Sequence, residues 1–155
     1  MVDETFMREA IRLATESVQN GGGPFGAVVV RDGRIIGRGA NRVTRDNDPT
    51  AHAEVQAIRD ACRTLGDFRL TGCDLYTSCL PCPMCMGAIY WARIARVFYA
   101  ATAEDAAAAG FDDRYIADEL AKPLQLRDLT ITQALRDVGL EPLRLWQEQP
   151  NKIEY

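Results

Sequence analysis

Apolar residues in the first stretch of the chain recur at helical intervals. Phe6, Ala10, Leu13, Ala14 and Val18 form one stripe and predict an amphipathic helix over residues 4–19. Asn20-Gly21-Gly22-Gly23-Pro24 ends it, because glycine accepts a left-handed cap and proline cannot continue a helix. The pattern then turns to two β-rich runs, 27–31 and 34–40, joined by Asp32-Gly33. That dipeptide signals a two-residue hairpin, whose turn positions both need positive φ. Residues 41–48 read as a polar loop. Asp48-Pro49-Thr50 opens a second helix reaching residue 65, with Val55, Ile58, Cys62 and Leu65 facing inward and Gly66 as the stop.

Further along, strands at 75–78 and 95–100 flank a helix over 83–93. Thr102 caps a short helix through 109, and another spans 112–121. Residues 129–135 fit a strand or a helix, and 141–148 form the last helix. Helices between the later strands predict parallel pairing there, while the hairpin is antiparallel. The expected fold class is therefore α/β: a three-layer α-β-α sandwich around a mixed central sheet.

Length and charge narrow the picture. At 155 residues the chain is expected to form one domain, residues 1–155, able to bury about 68–70% of its unfolded surface. A net charge of −4 argues against a broad nucleic-acid footprint, which needs clustered Lys and Arg. No apolar run approaches the roughly 20 residues of a membrane helix, and the acidic start lacks the features of a secretory signal, so the expected location is cytoplasmic. Five cysteines, an odd count, argue against a disulfide framework.

The candidate chemistry lies in two short segments. His52, the single histidine, is expected in the first turn of one helix, with Glu54 two residues later. Cys82 and Cys85 open another helix, three residues apart, so its first turn turns both sulfurs to one side. Helix N-termini stabilise thiolates. One imidazole and two thiolates supply three ligands for tetrahedral Zn²⁺, with the fourth place open to water, which is the mark of catalytic zinc. Zinc brings the pKa of such a water down to about 7. Glu54 is too close to His52 in sequence to be a comfortable fourth ligand and is well placed to move the water's proton. Cys79 keeps a rival open, since Cys79, Cys82, Cys85 and His52 could form a closed structural Cys₃His site. The spacing of the three cysteines also echoes an iron–sulfur run or a redox pair.

His52-Ala53-Glu54 with Pro81-Cys82-Pro83-Met84-Cys85 matches the H-x-E…P-C-x-x-C signature of zinc nucleobase deaminases. The chain resembles the cytidine/deoxycytidylate deaminase superfamily. Residues 22–28, 47–54, 76–79, 81–93 and 109–113, with the ending Asn151-Lys152-Ile153-Glu154-Tyr155, are similar to bacterial guanine deaminases within it. Leu80 departs from the pattern, standing where that family usually has Glu. The resemblance implies a cytidine deaminase-like fold, one Zn²⁺ per chain, and hydrolysis of guanine to xanthine and ammonia. It implies proton transfer by Glu54, with Asp113 as a second proton carrier near the departing amine. Asn41 is implied to hydrogen-bond the purine, Phe25 and Phe111 to wall the pocket, and Ala53 to give a backbone contact. It also implies a homodimer that exchanges C-terminal segments, about residues 140–155, so that Tyr155 closes the partner's pocket. The alternatives are a deaminase of another base or nucleoside (guanosine, cytosine, an aminotriazine or tRNA adenosine) and a non-catalytic structural-zinc module.

Overall fold

The computed structural model describes residues 2–155, which fall into two compact units, one through Arg114 and one over Tyr115–Tyr155. The first unit is built on a four-stranded sheet in the order β2-β1-β3-β4: β1 (Gly26–Arg31), β2 (Arg34–Ala40), β3 (Asp74–Cys79) and β4 (Arg96–Ala101). β1 pairs antiparallel with both β2 and β3, whereas β3 and β4 are parallel. The sheet is mixed, as expected. Asp32 and Gly33 have φ of 50° and 70° and make the predicted tight turn between β1 and β2.

Side chains alternate across the two central strands and feed two cores. Ala27, Val29 and Leu75 pack on one face with Ala53, Ala57 and Ala61 of α3 (Ala53–Leu65) and Ile89 of α4 (Pro83–Trp91). Val28, Val30 and Tyr76 pack on the other face with Ala10, Phe6 and Leu13 of α1 (Glu4–Gln19). Helices therefore cover both faces, giving the three layers. Asp3 caps α1 by accepting the Thr5 N–H at 2.9 Å. Ser17, and not Val18, takes the last buried place on that helix, because its hydroxyl donates to the Asn41 carbonyl at 3.0 Å. Val18 is exposed.

The expected inward stripe on α3 is also rotated. Its fully buried line is Ala53, Glu54, Ala57 and Ala61, while Val55, Ile58, Cys62 and Leu65 are only half-buried. The reason lies on β2. A Cβ at Gly39 would stand 2.1 Å from the Ala53 carbonyl oxygen, and one at Gly37 would stand 2.5 Å from that of Ala57. Two bare glycines let the helix backbone settle directly on the strand, so small residues face it.

Local boundaries differ for local reasons. The loop after β2 contains a short helix, α2 (Val43–Asp46), held by the Arg42–Asp46 ion pair and closed by Asn47 in the left-handed conformation. α3 begins at Ala53, later than expected, because Asp48 accepts from the Thr50 N–H and hydroxyl and keeps the chain in a turn. After β4 comes α5 (Ala103–Ala108), with the expected Thr102 cap completed by Asp105.

α6 (Arg114–Ala121) opens at the boundary of the C-terminal unit. That unit continues through a single 3₁₀ turn (Leu124–Leu126), α7 (Arg136–Gly139) and α8 (Glu141–Glu148). Residues 129–135 form neither strand nor helix. Among the described residues no helix is long and apolar enough to cross a membrane.

Candidate active site

Two helix starts supply the side chains that could hold a metal. His52 is the N-cap of α3 and Cys82 the N-cap of α4, so both precede the first helical turn. Pro83 follows Cys82 as the first helical residue, where its missing N–H costs nothing. Cys85 lies in that first turn and is buried. His52 Nδ1 stands 3.5 Å from the sulfur of Cys82 and 3.5 Å from that of Cys85. All three ligand atoms lie within 4.8 Å of one another. A borderline-soft divalent ion such as zinc prefers this mixture of one imidazole nitrogen and two sulfurs.

The electrostatics suit a cation. A hydrogen bond from Cys85, helped by His52 and against the effect of burial, pushes the Cys82 thiol down to about 4. Cys85 goes the other way, because it donates the proton that the two sulfurs share and is itself buried. The hydrogen bond with Cys82 raises His52. Cys79, the rival fourth ligand, points elsewhere: its sulfur contacts the Thr102 carbonyl oxygen at 3.5 Å. It is not part of the three-residue group. The closed Cys₃His arrangement therefore lacks its third sulfur.

Glu54 projects into this site from the first turn of α3 and is 5% exposed. One carboxylate oxygen accepts from the Thr77 hydroxyl at 3.1 Å, and the other accepts from the Cys85 sulfur at 3.4 Å. Burial raises its pKa, favouring the protonated form against the hydrogen bonds that favour the carboxylate. A buried carboxyl beside metal-binding sulfurs, with its proton held more tightly than in water, has the character of a proton carrier.

Asn41 is buried beside the turn that follows α1. Its Oδ1 accepts from the backbone N–H groups of Gly23 and Val43, both at 3.3 Å. These two donors fix the amide's orientation and leave its NH₂ as the end that can donate. Phe25 and Phe111 meet edge to face, with ring centroids 5.0 Å apart. Ala53 is fully buried as the first residue of α3. Asp113 is half-buried, and its charge, like that of Glu54, raises the Cys79 thiol after burial. Tyr155 is exposed within the C-terminal unit. Sequence reasoning missed Thr77. The available signal was its place in the buried period-two row Leu75, Thr77, Cys79.

Residues 1–101 match the family model for the cytidine and deoxycytidylate deaminase zinc-binding region. The chain belongs to this family. The His52, Cys82 and Cys85 group lies within the matched region and could hold the zinc. Among the deaminases it resembles is the guanine deaminase of Bacillus subtilis (strain 168), 56% identical over 100% of both chains. The X-ray structure of guanine deaminase from Bacillus subtilis superposes with a TM-score of 0.95, covering 100% of this chain and 99% of that one. A tRNA-specific adenosine deaminase from Agrobacterium fabrum is 49% identical over 62% of this chain and 63% of its own. A guanine deaminase structure from Nitrosomonas europaea, 34% identical, gives a TM-score of 0.69 over 72% of this chain and 65% of that one.

Proposed function

We propose that this deaminase hydrolyses guanine, with water, to xanthine and ammonia. The observation that carries the reading is the 56% identity to a guanine deaminase over the whole chain, where the likeness to the tRNA adenosine deaminase covers 62% of it. His52, Cys82 and Cys85 would hold the zinc, which would supply Lewis-acid activation of a water molecule. Glu54 takes one proton from the water and passes it to the ring nitrogen, and it carries the second, from the hydroxyl then on carbon, to the amine, which leaves as ammonia. Asp113 is the second proton carrier, on the side where ammonia departs. Asn41 donates its NH₂ to a purine acceptor, and its preset amide orientation favours one ring placement. Phe25 and Phe111 wall the base, excluding water, and Ala53 adds a backbone contact at the start of α3.

The working form is a homodimer that exchanges C-terminal segments, with Tyr155 closing the partner's pocket. In support, α8 exposes Leu143, Leu145 and Trp146, and Ile153 and Tyr155 are exposed beyond it. Apolar surface of this density calls for cover. Five free cysteines suit the reducing conditions of the cytoplasm.

The test is ammonia release from guanine, guanosine, adenine, cytosine and an adenosine-bearing tRNA, with zinc content and Glu54→Ala alongside. Xanthine and ammonia should form from guanine, with about one zinc per chain. Glu54→Ala should keep that zinc and lose about 10²–10⁴-fold in turnover. Ammonia from cytosine or tRNA with none from guanine would overturn the substrate, and full turnover in Glu54→Ala would overturn the proton carrier.

A further inference from the structure

Thr77 is fully buried in the middle of β3, one of the two central strands. It sits opposite Ala27 on β1 and Tyr99 on β4 and belongs to the row that faces α3. A threonine hydroxyl in a packed apolar row needs a partner. This one donates to Glu54 Oε1 at 3.1 Å. The other oxygen, Oε2, lies 3.4 Å from the Cys85 sulfur, on the metal-binding side. The two oxygens of one carboxylate thus have different surroundings: one is anchored to the sheet and one is turned toward the site. A β-branched side chain in a strand holds few χ1 rotamers, so the anchor is stiff.

We infer that Thr77 is a positioning residue for deamination. Its hydroxyl holds Glu54 Oε1 against the sheet, so that Oε2 is the oxygen that exchanges protons with substrate. Thr77 acts through Glu54 in this arrangement. The inference rests on the hydrolytic deaminase reading above.

Thr77→Val keeps the shape and removes the donor, whereas Thr77→Ser keeps the donor and loses a methyl group. Zinc-loaded protein with Thr77→Val should lose about 10–100-fold in kcat, the scale of a misdirected catalytic group. KM should stay within about twofold, because ground-state binding is untouched. Zinc content should match the unsubstituted protein, and the thermal midpoint should fall by only a few degrees. Thr77→Ser should recover kcat to within about threefold, since the hydrogen bond is restored. Without any substrate, difference infrared spectroscopy should show the Glu54 carboxyl band displaced in Thr77→Val and restored in Thr77→Ser. Unchanged kcat or an undisplaced band in Thr77→Val would overturn the inference. So would a Thr77→Ser protein as slow as Thr77→Val, or zinc loss that parallels the loss of rate. A protein without substitution that releases no ammonia from any substrate fails the deaminase reading instead, and the infrared comparison still decides the anchor.

Discussion

In the proposed function, Asn41 would join folding and recognition in one side chain. Its carbonyl oxygen gathers the N–H groups of Gly23 and Val43, and its backbone carbonyl accepts from Ser17. The side-chain NH₂ is thereby committed to one direction before a base arrives, which reduces the ordering cost of binding. Asn41→Ala should raise KM for guanine about tenfold or more, and should also destabilise the fold by about 1–2 kcal/mol because two backbone donors lose their acceptor. Steady-state kinetics and urea unfolding measure the two effects separately. Asn41→Asp keeps the acceptor and loses the donor, so it should raise KM with a smaller loss of stability. That His52, Cys82, Cys85 and Glu54 come together was legible in the sequence, because few chemistries require a histidine, a glutamate and paired cysteines at two helix starts. Thr77 was not legible. A threonine inside a strand is an ordinary β-former, and only the packing of α3 over β3 shows what its hydroxyl meets.

At the scale of elements, the contact between α3 and β2 places the start of α3, and with it both His52 and Glu54. It works because Gly37 and Gly39 present no side chain to the helix backbone. Gly39→Ala would push a methyl to 2.1 Å from the Ala53 carbonyl oxygen and 2.4 Å from the Ala57 nitrogen. Neither is the end of a flexible side chain, so the helix must shift. The expected cost is about 1–3 kcal/mol in urea unfolding, with zinc content falling as His52 moves away from Cys82 and Cys85. The periodicity of 4–19 predicted its helix correctly, and Asp32-Gly33 the hairpin, because those signals are local. The alanine face of α3 was hidden because its cause is two glycines on a neighbouring strand. Residues 129–135 carry a β-like composition and yet form no element, since a strand needs a partner edge that composition does not reveal.

At the scale of the whole molecule, the exposed leucines and Trp146 of α8 set an expectation for assembly. Sedimentation should give a dimer, and two impaired variants should complement each other. A Glu54→Ala chain has a disabled proton carrier and an intact C-terminus, while a chain lacking Tyr155 has the reverse. Refolded together, they form mixed dimers in which one site combines an intact Glu54 with a Tyr155 from the other chain. Ammonia release should rise well above that of either parent. Activity no greater than the average of the parents would mean that Tyr155 serves its own chain.

The direct seating of helix on strand also constrains how such an enzyme can change. Where two main chains touch, no side chain can be lengthened or shortened to retune the gap between them, so the height of Glu54 on α3 over the strand is a fixed dimension of the scaffold. Change is easier where side chains meet side chains, as in the ring pair of Phe25 and Phe111.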